Sequence, residues 1–302
     1  MNRRTVLEAT LLGTAFAAAA VASAPAAAAG PVARPPYVTA KDGTRLFVQD
    51  FGSGQPVLLL SAWTFDASIW GSHIVALNAR GFRCIAPDRR GHGRSEMPST
   101  GYDLDTLSDD VAAVIEARDL RNVTLVGFSM GTAEAVNYLA RHGSERIARL
   151  VLIAPTTPFL LRTEDNPDGV PKAMIEADDA AIARDFAKWI AANEAPFFTA
   201  ETPEITRAWI RAMMLSVPLP VALACREAIA FADLRMAAAG IDRPTLIVHG
   251  DKDASAPLPL TGAKTARLIK GSKLSVYEGA PHPLPLTHGE RLLADMLAFM
   301  SA

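Results

Sequence analysis

Cysteine is nearly missing from this 302-residue sequence: Cys84 and Cys225 are its only two. That is too few for a disulfide framework or a thiolate-rich zinc site, each of which needs several ligands at short spacing. Cys84 lies in the apolar run Phe82-Arg83-Cys84-Ile85-Ala86 and reads as a small buried thiol. Nothing in the sequence supports a bridge between the two. Net charge is also scarce. Thirty Lys and Arg against 32 Asp and Glu leave a balance of −2, with an isoelectric point near 6.3, so there is no electrostatic reason to expect nucleic acid or an anionic membrane as a partner. Internal repeats are missing too. What is plentiful is apolar residue: 50% of the chain is hydrophobic and 21% charged, the composition of a globular protein able to bury a large core. The length exceeds the usual single-domain mode but suits one α/β core carrying an insertion.

The first thirty residues differ in character. Arg3-Arg4 precede the Ala-rich stretch Leu11–Ala20, and Ala27-Ala28-Ala29 offers the small residues that a signal peptidase accepts. This resembles a twin-arginine export signal. Residues 1–30 are therefore expected to be a cleaved leader, and the mature protein to be periplasmic or secreted with no stable membrane association. An uncleaved anchor competes because Leu11–Ala29 is nearly long enough to span a bilayer, but alanine contributes little transfer energy and Pro25 interrupts the stretch.

Beyond a Pro-rich linker at 31–36 the pattern is regular. Thr44–Phe51 alternates apolar and polar, turns at Gly52-Ser53-Gly54, and passes into the apolar run Val57–Leu60, which reads as a hairpin leading to a buried strand. Further apolar runs stand at Phe82–Ala86, Val123–Val126, Leu150–Ala154, Thr245–Val248 and Leu274–Tyr277, with segments of helical periodicity between them. Strands apolar throughout, alternating with amphipathic helices, predict a doubly wound, mostly parallel α/β sheet covered on both faces. The core is assigned to 31–155 and 240–302. Across 156–239 no strand-like run occurs, and helical segments near Asp178–Asn193, Pro203–Leu215 and Pro218–Phe231 predict an inserted helical cap over the ligand crevice.

The strongest local signal is Gly127-Phe128-Ser129-Met130-Gly131, directly after a strand and before a helical run. In a G-x-S-x-G elbow the turn is too tight for side chains at the flanking positions, and it exposes the serine hydroxyl on a strained backbone. The following helix start offers the Met130 amide and a positive dipole end to an oxyanion. A serine hydroxyl is a weak nucleophile and needs a base, which in turn needs an orienting group. In elbow enzymes these follow in the order serine, acid, histidine, after later strands. Here Leu246–Gly250 runs into Asp251-Lys252-Asp253, and Leu274–Tyr277 runs into Glu278-Gly279-Ala280-Pro281-His282. Asp251 and Asp253 both stand where the acid is required.

Four stretches carry a family resemblance from about Val38 to the C-terminus: Ala86-Pro87-Asp88-Arg89-Arg90-Gly91-His92-Gly93-Arg94-Ser95, the Gly127–Gly131 elbow, His249-Gly250-Asp251-Lys252-Asp253, and Glu278–His282. The chain resembles the cofactor-free haloperoxidase and aryl-esterase branch of the α/β-hydrolases, many of which are also perhydrolases. The resemblance implies Ser129 as nucleophile, Asp253 as acid with Asp251 in reserve, His282 as base, and the backbone amides of Trp63 and Met130 as oxyanion donors. It implies no cofactor and no metal. His249, His92, His73 and His142 are given packing, loop or surface roles, His288 lies near the start of the last helix with no role assigned, and Trp189 and Trp209 are divided between pocket and core.

The chain departs from this pattern at Ser61-Ala62-Trp63-Thr64, where relatives read His-Gly-Trp, often followed by proline. If the glycine of relatives takes a positive φ, Ala62 would be strained by about 1 kcal/mol. Loss of the histidine removes a brace unless Ser61 replaces it. Thr132 and Pro283 replace glycines and are expected to reshape the pocket. The reading favours a carboxylic ester hydrolase for small or medium acyl substrates. Perhydrolysis, with Thr64 counting against it, and lactone or amide hydrolysis are the alternatives, a non-catalytic ligand binder is the alternative of a different class, and the oligomeric state is left open.

Overall fold

The computed structural model describes residues 34–301; the expected export segment at 1–30 lies outside the described residues. β1 (Tyr37–Thr39) and β2 (Arg45–Gly52) form an antiparallel hairpin. The hairpin expected between β2 and β3 (Pro56–Leu60) does not form. After α1 (Gly71–Asn78), β4 (Arg83–Pro87) returns between them, antiparallel to β2 and parallel to β3. The reason lies in the turn: a side chain at Gly54, at φ +96°, would sit 2.2 Å from the Gly81 carbonyl oxygen. That turn packs on the entry to β4 instead of closing a two-strand ladder.

α2 (Leu104–Ala117) is started by the Asp103 carboxylate, which accepts the Thr106 amide at 2.9 Å, and buries Leu107, Val111, Val114 and Ile115 on one face. β5 (Val123–Phe128), α3 (Met130–His142) and β6 (Ile147–Ile153) follow. The sheet is completed by β7 (Thr245–Gly250) and β8 (Lys273–Tyr277), giving eight strands in the order β1-β2-β4-β3-β5-β6-β7-β8, parallel from β4 onward. Every residue of β5 and β7 is buried, because helices cover both faces. Two hydrophobic clusters result, one containing Leu59, Val126 and Val248, the other Leu58, Leu125 and Ile247. Alternate residues of each strand thus feed opposite faces.

Between β6 and β7 the chain is helical: α4 (Lys172–Arg184), α5 (Phe186–Asn193), α6 (Glu204–Ser216), α7 (Leu219–Ala230) and α8 (Arg235–Ala239). The single helix expected over 178–193 is two, broken at Asp185, whose extended backbone (φ −161°) frees its carboxylate to accept the Lys188 amide at 2.9 Å. α9 (Gly262–Leu268) precedes β8, and α10 (Leu284–Thr287) and α11 (Gly289–Ser301) close the chain. Among the described residues no single helix is long and apolar enough to cross a membrane.

Candidate active site

Ser129 joins β5 to α3 with φ +53° and ψ −117°, a strained conformation for any residue with a side chain. Two glycines make the turn possible. A Cβ at Gly127 would lie 2.5 Å from the Gly131 carbonyl oxygen, and one at Gly131 would lie 2.7 Å from that of Leu60. The Ser129 amide donates to the Ile153 carbonyl at 2.9 Å, and the Thr132 hydroxyl donates to the Ser129 carbonyl at 2.5 Å while accepting the Thr156 amide at 3.2 Å. Thr132 therefore braces the elbow from behind.

His282, after β8, brings Nε2 to 2.8 Å from Ser129 Oγ and Nδ1 to 2.7 Å from Asp253 Oδ2. Asp253, after β7, accepts the amides of Ser255 at 2.9 Å and Ala256 at 2.8 Å on Oδ1, and has His249 Nε2 3.1 Å from Oδ2. Burial pushes the Asp253 pKa up, but the charge of His282 and the hydrogen bonds from His249 and His282 outweigh it and hold the carboxyl below the ordinary value. All three residues are at least 95% buried. Asp251 does not meet His282; its carboxylate accepts the Gly279 amide at 2.7 Å and ties β7 to the turn after β8.

The loop after β3 carries Trp63. Ala62 does not take a positive φ; Thr64 does, at +61°. The strain foreseen at Ala62 therefore falls two residues later, where the buried Thr64 hydroxyl donates to the Trp63 carbonyl at 2.6 Å. Ser61 supplies the brace otherwise expected of histidine, since its hydroxyl donates to the Asp66 carbonyl at 3.1 Å and accepts Trp70 Nε1 at 3.2 Å. Among the described residues, no acceptor is bonded to the Trp63 amide. As the first residue of α3, Met130 has no intrahelical acceptor for its own amide.

Trp63, Ser129 and His282 face a cavity of about 380 Å³ whose other walls include Phe65, Trp189, Phe197 and Phe198. The helices of 172–230 contribute Ile175, Ile190, Ile210 and Met214 to its walls. The Trp63 indole donates to the Ala222 carbonyl of α7 at 2.7 Å and packs edge-on against Trp189 of α5, ring centres 5.7 Å apart. Charges in the walls are paired: Arg226 with Asp178 and Asp179, Arg211 with Glu194 at 2.8 Å and with Glu204. Neither Thr132 nor Pro283 lines the cavity directly; Thr132 holds the wall residue Thr156, and Pro283 caps α10 next to the wall residue His282. Trp189 is a wall residue, whereas Trp209 is 40% exposed on the outside of α6.

Of the remaining histidines, His249 alone reaches the relay, through Asp253. His249 is fully buried. His92 points Nδ1 at the Arg90 carbonyl at 3.0 Å, and burial lowers its pKa to about 3. His73, expected on the surface, is 3% exposed, and burial lowers its pKa to about 4. His142 does lie outside, 2.8 Å from Asp109, and His288 contacts the Thr287 hydroxyl at 2.9 Å. Both cysteines are buried and free. Among the described residues no group of three or more His, Cys, Asp or Glu is placed to hold a metal. Sequence reasoning missed the Thr156 contact, the Phe197-Phe198 wall, and Arg89 with Glu134 beneath the Trp63 loop.

A family profile described as the alpha/beta hydrolase fold matches residues 55–289. The chain belongs to this family. It is similar to a non-heme chloroperoxidase of Kitasatospora aureofaciens, 34% identical over 275 residues, which are 88% of this chain and 99% of that protein. It is also similar to a bifunctional esterase/perhydrolase of Acinetobacter calcoaceticus, 35% identical over 276 residues, 87% of this chain and 99% of the other. Among solved structures, an esterase of Exiguobacterium antarcticum superposes with a TM-score of 0.85 at 31% identity, covering 88% of this chain and 99% of that one. The elbow, the strand order and the helical insertion thus sit in an α/β hydrolase with esterase and haloperoxidase relatives.

Proposed function

We propose that this α/β hydrolase is a serine esterase that cleaves carboxylic esters of small or medium size through an acyl-enzyme intermediate. The observation that carries the reading is the unbroken relay from Ser129 Oγ to His282 Nε2 at 2.8 Å and from His282 Nδ1 to Asp253 at 2.7 Å, opening on an aromatic cavity. Ser129 Oγ attacks the ester carbonyl and its proton passes to His282 Nε2; Asp253 holds the other ring nitrogen protonated and stabilises the imidazolium. The amides of Trp63 and Met130 receive the negative oxygen. Collapse breaks the bond to the alcohol, which leaves with the His282 proton. Water then attacks the acyl-enzyme by the same route and frees the acid and Ser129.

A second reading has hydrogen peroxide replace water in deacylation, giving a peracid. The esterase/perhydrolase relative favours it. The loop favours water instead, because Thr64 at φ +61° holds a backbone that proline, common there in the perhydrolytic relatives it resembles, cannot adopt. Lactones and amides would use the same relay. From Arg3-Arg4 and the Ala-rich stretch we further infer export, to be checked by the N-terminal mass of protein recovered from a periplasmic extract.

Purified protein is expected to hydrolyse 4-nitrophenyl esters and to be labelled by a fluorophosphonate at Ser129. Ser129→Ala should lose both. Wild-type ester turnover by that variant would overturn the proposal, and failure of the folded wild type to label would favour a non-catalytic binder.

A further inference from the structure

The stretch Asp88–Ser95 has no part in the mechanism above, yet its first two side chains hold the chain after and before Trp63. Asp88 Oδ1 accepts the Ala67 amide at 2.8 Å, beyond the loop. Arg89 approaches from the near end: Nη2 donates to the Ser61 carbonyl at 2.7 Å and Nη1 to the Ala62 carbonyl at 3.0 Å. Its third edge, Nε, donates to Glu134 Oε1. Glu134 lies on α3 one turn beyond Met130, and both charged residues are at least 91% buried.

A peptide unit is planar and trans, so the carbonyl of Ala62 and the amide of Trp63 are opposite edges of one rigid plate. Fixing Ala62 O on the guanidinium therefore fixes the direction of the Trp63 N–H, which points away from Arg89. The same guanidinium grips the helix whose first residue is Met130. Resting on the serine-esterase reading, we propose that Arg89 is a positioning residue that sets the Trp63 amide in register with the Met130 amide, so that the two converge on one oxyanion. Only a planar fork with several donors can hold two successive carbonyls and a carboxylate together; an ammonium is a point charge without that geometry.

The neighbouring Arg90 separates this role from simple structural support. It is 1% exposed, and its hydrogen bonds go to Asp110 and Asp42 rather than to the loop or α3. The test compares R89M/E134L, R89K and the control R90M/D110L, each double variant removing both buried charges so that neither is left unpaired. The readouts are kcat and KM on a 4-nitrophenyl ester, melting temperature, and the NMR shift of the Trp63 amide.

R89M/E134L should fold, show a displaced Trp63 amide signal, and lose about 10- to 1000-fold in kcat at unchanged KM. R89K should recover part of that loss. R90M/D110L should melt earlier yet keep its kcat and its Trp63 signal. A folded R89M/E134L with the wild-type kcat and an unmoved Trp63 signal would overturn the proposal. Should the wild type's own turnover survive Ser129→Ala, the esterase reading falls instead, and the Trp63 signal alone decides whether Arg89 holds the loop.

Discussion

His249 Nε2 stands 3.1 Å from the same Asp253 oxygen that His282 Nδ1 contacts at 2.7 Å, and it also lies 2.8 Å from the Ala256 carbonyl. One N–H is thus shared between the candidate acid and the loop that carries it. A hydrogen bond to a charged group contributes about 1.5–3 kcal/mol, so His249→Leu is expected to lower kcat by roughly tenfold or more. His249→Gln, which places an amide N–H near the lost ring nitrogen, should restore much of it. Gly262→Ala should mimic the defect from outside, because its Cβ would fall 2.3 Å from His249 Nδ1. Steady-state kinetics of the three variants check this; wild-type kcat in His249→Leu would assign the histidine to packing alone.

The left-handed turn at Thr64 makes a second expectation. Proline fixes φ near −65°, whereas Thr64 sits at +61°. Thr64→Pro must therefore rebuild the loop and break the turn in which the Phe65 amide reaches the Ala62 carbonyl at 3.2 Å. Lower melting temperature and ester turnover reduced by about tenfold or more are expected, read by calorimetry and a 4-nitrophenyl assay. Unchanged turnover would show that the Trp63 amide does not depend on this turn.

Burial holds the His73 pKa at about 4, against an ordinary 6.5. The unfolded chain therefore binds more protons than the folded one between those values, and stability rises with pH through that window. The loss on acidification from pH 6.5 to 4 is about 3 kcal/mol for this group. Urea unfolding should show His73→Phe losing less stability than the wild type between neutral pH and pH 4.5. Equal losses would place the acid sensitivity elsewhere, with His92, depressed by burial to about 3, as the next site to test.

Because the charges of the cavity wall itself balance, Arg211 against Glu194 and Arg226 against Asp178, neutral esters should outcompete those bearing a carboxylate or an ammonium group. Arg226→Gln would leave Asp178 and Asp179 without their cation. At the intermediate dielectric of a protein cleft, one such charge a few ångströms from a ligand is worth about 1–4 kcal/mol. Specificity for an ammonium-bearing ester should then rise about tenfold relative to its neutral isostere. An unchanged kcat/KM ratio would mean that substrates do not reach α7.

The sheet, the elbow and the order of Ser129, Asp253 and His282 were legible because each depends on local pattern: an apolar run, a tight turn, a loop after a strand. The resemblance then chose Asp253 over Asp251, and the structure shows why the two differ, one aspartate facing inward to His282 and the other stapling a turn. Long-range facts were illegible. That β4 slots between β2 and β3 follows from the packing of Gly54 against Gly81, which no window of sequence contains. Ala62 drew attention as the residue replacing glycine, yet the left-handed backbone of this loop is at Thr64. His73 looked external by helix position but faces Trp70, ring centres 5.6 Å apart. Arg89 was visible as part of a motif; its target carbonyls, Ser61 and Ala62, carry no side-chain signature at all.

The indole of Trp63 bound to Ala222 bears on how this scaffold could be altered. The helices of 172–230 are not an interchangeable module. Replacing them with those of a relative would remove the acceptor on α7 and the Trp189 ring on α5 from the residue whose amide is proposed to receive the oxyanion. Substrate range and turnover rate are therefore inherited together, and recombination of helical segments between homologues should yield new specificities only when the partner of position 63 travels with them.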